Sequence, residues 1–149
     1  MNKQDILMVC KEAAIKAGVA IMQIYNESNL ISIDYKEDKS PLTLADRKSN
    51  KIIVEILKEK YPEYAILSEE EKDDLKRLDN DYCFVIDPLD GTKEFIKRNG
   101  QFTVNIALAY KHEIVIGVIY VPCTNELYYA SKGHGAYLQI NSRNIRKFK

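Results

Sequence analysis

Ile6, Cys10, Ala13, Ala17, Ile21 and Ile24 recur at spacings of three and four across residues 4–25. That spacing predicts one long amphipathic helix with a single apolar stripe, ended by polar turn formers at 26–29. Ile31, Ile33 and Tyr35 alternate with polar residues and predict a short half-buried strand, which runs into a polar loop over 36–41. A second helix is predicted from about Leu44 to Lys60, with Ile52, Ile53, Ile56 and Leu57 as its buried face. Thr43 marks its start and Pro62 its stop.

Further along, the period changes from 3.6 to 2 or to unbroken apolar runs. Residues 65–67 predict a short strand and 83–86 a buried one. Residues 102–110, 114–121, 126–130 and 136–140 predict four more. The connections at 111–113, 122–125 and 133–135 are short enough for antiparallel hairpins. The 114–121 segment is apolar at nearly every position, which suits burial on both faces. The expected fold class is therefore α+β, with two helices packed on an antiparallel sheet. No repeat or linker interrupts the chain, so residues 1–140 read as one domain followed by a basic tail over 141–149.

The composition narrows the function classes. At about 150 residues per domain, a chain of 149 fits one unit. A hydrophobic share of 46% with 30% charged residues excludes disordered, collagenous and disulfide-scaffold classes. Twenty-two basic residues balance 22 acidic ones, which argues against a nucleic-acid partner or an anionic membrane surface. No apolar run reaches the ~18 residues of a membrane span, and residues 1–11 do not form a signal peptide. Cys10, Cys83 and Cys123 are odd in number and widely spaced. They predict reduced thiols in a cytoplasmic protein rather than disulfide or zinc chemistry. Charge is uneven along the chain, however: residues 63–81 hold eight acids against Lys72, Lys76 and Arg77.

That acidic stretch leads into Asp87-Pro88-Leu89-Asp90-Gly91-Thr92, directly after the buried strand. Two carboxylates stand three residues apart where a strand ends. Pro88 keeps Asp87 extended, and Gly91 permits a tight turn and close approach of backbone to a ligand. Asp87, the Leu89 carbonyl and Asp90 could offer oxygens to a hard divalent cation. A surface Pro-Asp-Gly turn without a ligand uses the same residues. Upstream, Leu67-Ser68-Glu69-Glu70-Glu71 ends another short strand, and its acids could complete a metal site or form a solvated turn. Thr43-Leu44-Ala45-Asp46 fits a capping box, which makes Asp46 a helix-start residue.

These residues together resemble the Mg²⁺-dependent, lithium-sensitive phosphatases that include inositol monophosphatase and fructose-1,6-bisphosphatase. Asp87 through Phe95, reading D-P-L-D-G-T-K-E-F, is similar to the bacterial 3'(2'),5'-bisphosphate nucleotidase branch. Lys93-Glu94-Phe95 favours that branch over inositol monophosphatases, which read Asn-Phe shortly after D-P-I-D-G-T. Supporting matches are residues 40–46, Leu67-Ser68-Glu69-Glu70 and residues 102–107, and the resemblance runs to about Leu138.

The resemblance implies Mg²⁺ as cofactor, with Glu69, Asp87, the Leu89 carbonyl and Asp90 as its ligands. Glu69 is preferred to Glu70 as the first acid after the Leu-Ser pair. It implies that Asp46 and Thr92 orient and deprotonate the attacking water, and that the amides of Gly91 and Thr92 hold the phosphate. Lys36 and Lys39 could approach that phosphate or remain solvated. The implied substrate is adenosine 3',5'-bisphosphate, a by-product of sulfate assimilation, cleaved to AMP and phosphate. Inositol phosphate is the alternative substrate.

Members of this family carry a W-D-x-A-x-G element in a second half, and this sequence has no Trp. The chain thus resembles the N-terminal domain alone, and a non-catalytic remnant, self-association or a separately encoded second half are the competing expectations.

Overall fold

The stripe predicted over 4–25 forms helix α1 (Lys3–Glu27), and a second helix, α2 (Pro41–Lys60), packs along it. The computed structural model describes residues 1–27 and 40–148. The strand expected over 31–35 and the loop lysines Lys36 and Lys39 lie outside the described residues. Ser40, not Thr43, caps α2. Its Oγ accepts from the Thr43 amide at 3.1 Å, and Pro41 occupies the first turn, where a missing N–H costs nothing. The helix therefore starts earlier than expected, and Asp46 sits in its second turn instead of at its cap.

Strands β1 (Ala65–Ser68), β2 (Tyr82–Asp90), β3 (Thr103–Tyr110), β4 (Glu113–Val121), β5 (Glu126–Ser131), β6 (Ala136–Ile140) and β7 (Asn144–Lys147) form one sheet in chain order. A third helix, α3 (Thr92–Lys97), follows β2. Helices on a sheet are as expected, but the sheet is mixed. β2 through β7 are antiparallel, whereas β1 runs parallel to β2. Residues 69–81, with a 3₁₀ turn at Lys76–Asp79, are long enough to carry the chain back to the start of a parallel neighbour. Part of the expected basic tail is also a strand, since β7 pairs with β6 from Ile140–Asn144 to Tyr137–Lys147.

The core lies between the helices and one face of the sheet. Phe84, Ile86, Val104, Ile106, Leu108, Ile116 and Val118 meet Ile21, Ile53 and Leu57 there. α1 can approach β4 closely because residue 18 is Gly: a Cβ at Gly18 would collide with the Tyr120 ring. On β4 only one face is buried. Val115, Ile116, Val118 and Tyr120 are covered, whereas Ile119 is 45% exposed and Ile114 is exposed beside the hairpin. Across the sheet from α1 and α2, Leu67, Val85, Ala107, Gly117 and Ile119 line an open depression of about 530 Å³.

Candidate active site

The acids of the site come together because β1 is parallel to β2. Ser68 pairs with Ile86, and the Glu69 amide donates to the Ile86 carbonyl at 3.2 Å. One further step brings Glu69 beside Asp87 at the same end of two neighbouring strands. An antiparallel pair would have sent Glu69 to the opposite end of β2. Strand alternation puts both residues on the open face, where they border the depression next to Val85 and Asn105.

Asp87 and Asp90 are three apart, a spacing that sends side chains to opposite faces of a regular strand. A bulge changes this. Asp87 faces Asn105 and Asp90 faces Thr103, so β2 spends one residue more than β3 over this stretch. Asn105 Nδ2 then donates to Asp90 Oδ2 at 3.1 Å, and Thr103 Oγ1 donates to Asn105 Oδ1 at 2.9 Å. The Leu89 amide donates to the Asp87 carboxylate, while the Leu89 side chain is buried in the core. The motif is thus the bulged end of β2 itself, not a turn that follows it.

Asp46 approaches from α2 and hydrogen-bonds Glu70. Burial, then the charge and hydrogen bond of Glu70, then Asp87 and Glu69 push the Asp46 carboxyl up to about 7. Burial and the charges of Glu69 and Asp90 push Asp87 up to about 6, against the hydrogen bond from Leu89. Burial first and neighbouring carboxylates second thus raise both groups, as expected where acids crowd together out of full contact with water.

Gly91 ends β2 with φ of 95°, where a Cβ would lie 3.0 Å from the Gln101 carbonyl oxygen. Only glycine turns the chain there without strain. Thr92 opens α3 as an exposed residue, and the Phe95 amide donates to the Gly91 carbonyl at 2.9 Å. The structure thus gathers Asp46, Glu69, Asp87 and Asp90, with Gly91 and Thr92 following in the chain.

The parts played by five neighbours are not evident from the sequence. Glu70 bonds Asp46, Asn105 holds Asp90, and the buried polar residues Ser49, Asn50 and Ser68 lie behind the acids. Asn105 had a signal in the sequence, since it interrupts an apolar strand inside the 102–107 match.

Among the described residues, no three His, Cys, Asp or Glu side chains converge tightly enough to cage an ion alone. The donor set nevertheless fits a hard divalent cation in kind: all the donors are oxygens, and their charges repel each other in its absence. Mg²⁺ characteristically takes one or two carboxylates and completes its shell with water and substrate oxygens.

Among the described residues no helix is long and apolar enough to cross a membrane. The chain is 42% identical to the 3'(2'),5'-bisphosphate nucleotidase CysQ of Salmonella typhimurium over 145 residues, which cover 93% of this chain and 58% of that protein. It is 36% identical to the Nus factor SuhB of Escherichia coli, over 95% of this chain and 52% of that one. The crystal structure of CysQ from Bacteroides thetaiotaomicron superimposes with a TM-score of 0.85 at 45% identity, covering 99% of this chain and 54% of its own. The chain thus spans little more than half the length of the relatives it matches. The inositol monophosphatase family model matches residues 2–147, and the chain belongs to that family.

Proposed function

We propose that this chain carries the metal and phosphate site of a phosphomonoester hydrolase, one that removes the 3'-phosphate of adenosine 3',5'-bisphosphate to give AMP and phosphate. The carrying observation is that Glu69 and Asp87 follow the Ser68–Ile86 pair at parallel strand ends, with Asp90 turned toward the same side by the bulge. Identity of 42% to a bisphosphate nucleotidase supports the choice of substrate over inositol phosphate.

In this reading Glu69, Asp87, the Leu89 carbonyl and Asp90 would hold Mg²⁺. When bound, the ion would neutralise phosphate charge and make water more acidic. Gly91 and Thr92, at the start of α3, offer backbone amides to the oxygens of the phosphate being cleaved. The Thr92 hydroxyl orients water for in-line attack, and Asp46 takes its proton. Asp46 is placed for this by α2, half-buried beside Glu70. The water oxygen bonds to phosphorus as the bond from phosphorus to the 3'-oxygen breaks; the 3'-oxygen keeps that electron pair and takes a proton from solvent to become the alcohol. The reaction needs positioning and charge compensation more than covalent help.

The open sheet face beside the acids supports a further part of this reading: a second apolar layer, from another copy of this chain, covers it. Phosphate release with Mg²⁺, measured on adenosine 3',5'-bisphosphate and inositol 1-phosphate side by side, tests the proposal. Faster release from the nucleotide, lost on chelation, is expected. Faster release from inositol 1-phosphate would overturn the substrate assignment. Mg²⁺-independent release would overturn the site, and no release from either would favour a non-catalytic chain.

A further inference from the structure

Helix α2 carries two polar residues on its buried face among Ala45, Ile53 and Leu57: Ser49, 0% exposed, and Asn50, 9% exposed. Each reaches a different strand end of the site. Ser49 Oγ donates to the Pro88 carbonyl at 2.7 Å, inside the bulge between Asp87 and Asp90. Asn50 Oδ1 accepts from Ser68 Oγ at 2.6 Å, and its Nδ2 donates to Glu71 Oε2 at 2.7 Å. These two contacts bracket Glu69 and Glu70. Ser68, 4% exposed, closes the loop by accepting from the Glu70 amide at 3.3 Å. The same helix presents Asp46 three and four residues earlier, one turn away on the same side.

Apolar neighbours fill the rest of that buried face. A buried neutral hydrogen bond adds only about 1 kcal/mol net, so what distinguishes it from an alanine contact is direction. Here the directions tie one rigid helix to the end of β1 and to the end of β2. We infer that Ser49, Asn50 and Ser68 form a hydrogen-bonded clamp that sets the separation of the Glu69 and Asp87–Asp90 ends, and so act as positioning residues for the divalent cation. This rests on the metal site proposed above. Partners behind metal ligands commonly change affinity about 10- to 100-fold when lost.

The test compares Ser49→Ala, Ser68→Ala and Asn50→Ala with the unaltered chain, using Mg²⁺ by calorimetry and Tb³⁺ luminescence decay in H₂O and D₂O. Ser131→Ala is the control: it removes another buried serine, bonded to Gln4 at 3.0 Å, from β5. Expected are a roughly tenfold or greater loss of Mg²⁺ affinity in the clamp variants, more water on Tb³⁺, and neither change in the control. The two serine variants remove a single oxygen and are read even if Asn50→Ala fails to fold. Unchanged affinity in both serine variants of a chain that does bind Mg²⁺ would overturn the clamp alone. Equal losses in Ser131→Ala would reduce it to general stability. An unaltered chain that binds neither ion would overturn the metal site, and the clamp with it.

Discussion

Glu69 stands one step beyond the Ser68–Ile86 pair, beside Asp87, because the four-residue strand β1 runs parallel to β2. Burial disfavours the charged form of Asp87, and the charges of Glu69 and Asp90 add to the cost. Replacing Asp87 by Asn should therefore abolish measurable Mg²⁺ binding while leaving the melting temperature of the metal-free chain unchanged or higher. Asp90→Asn should also weaken Mg²⁺, with a smaller gain in stability because Asp90 is exposed. Calorimetric titration with thermal melting checks both. Normal affinity in the two variants would remove these residues from the site.

The same burial and repulsion give the metal-free chain an inverted pH dependence. Asp46 is raised to about 7 and Asp87 to about 6, above the ordinary aspartate value near 4. The folded state then holds protons that the unfolded chain releases. Their contribution to stability is full below about pH 4 and is lost as pH rises through 6 to 7. Glu12, Asp73 and Glu126 are shifted downward by hydrogen bonds on the surface. What they contribute is lost only as pH falls through those lowered values, below this window. The urea midpoint should drop between about pH 5 and about pH 8, and saturating Mg²⁺ should flatten the drop. A midpoint that rises with pH without metal would contradict the electrostatic account.

Ser40 and Asp46 separate capping from chemistry on one helix. Ser40→Ala removes the bond to the Thr43 amide and should cost about 1 kcal/mol of stability with Mg²⁺ affinity intact. Asp46→Asn should leave stability equal or higher. In a catalytically active form of the protein, Asp46→Asn and Thr92→Ala should lower kcat with little change in metal affinity, as expected of contacts made in the transition state. A lowered melting temperature with normal turnover in Asp46→Asn would return that residue to a structural role.

Much of this arrangement is legible in the sequence, and the gaps have physical causes. The long stripe of α1 and the apolar runs of β3 to β6 announce those elements, although the unbroken run of β4 suggests two buried faces where only one is covered. The direction of β1 is not legible: Ala65-Ile66-Leu67-Ser68 is a short apolar run that reads the same parallel or antiparallel. The Asp-Pro-Leu-Asp motif announces a ligand site, but the bulge that aligns its two acids depends on pairing with β3. Ser49 and Asn50 look like the polar side of α2, because the stripe through Ile52 and Ile56 places the buried face slightly around the helix. Ile52 and Ile56 are only half-buried, whereas Ala45, Ser49, Asn50 and Ile53 point inward. β7 is short and strongly basic, so its pairing with β6 leaves little hydrophobic trace.

Gly91 tests the turn between the acids and α3. Its φ is 95°, and the Gln101 carbonyl oxygen lies 3.0 Å from the place a Cβ would take. Gly91→Ala therefore faces both left-handed strain and a close contact. The backbone strain alone is worth about 1–2 kcal/mol. Denaturant unfolding should show at least that loss, and Mg²⁺ affinity should fall because Asp90 and Thr92 flank the turn. A loss of stability below a few tenths of a kcal/mol would mean that the turn relaxes freely.

The open face of the sheet carries the last prediction. Val85 is 37% and Ile119 45% exposed, and Leu67, Ala107 and Gly117 continue the apolar surface between them toward Glu69 and Asp87. Opposite them the helices cover the sheet completely enough to leave Phe84, Ile106 and Val118 at 1% or less. One face of a sheet is thus packed as a core while the other shows a contiguous apolar patch, a surface that favours association. The purified chain should therefore self-associate in a concentration-dependent way, and Ile119→Lys should shift it toward monomer with little loss of melting temperature, since the 45% exposed Ile119 leaves room for the lysine head to reach water. Sedimentation velocity over a range of concentrations decides it. An unaltered chain that stays monomeric throughout would show that this face needs no cover from a second copy, and an Ile119→Lys variant that associates as before would move the contact elsewhere on the molecule.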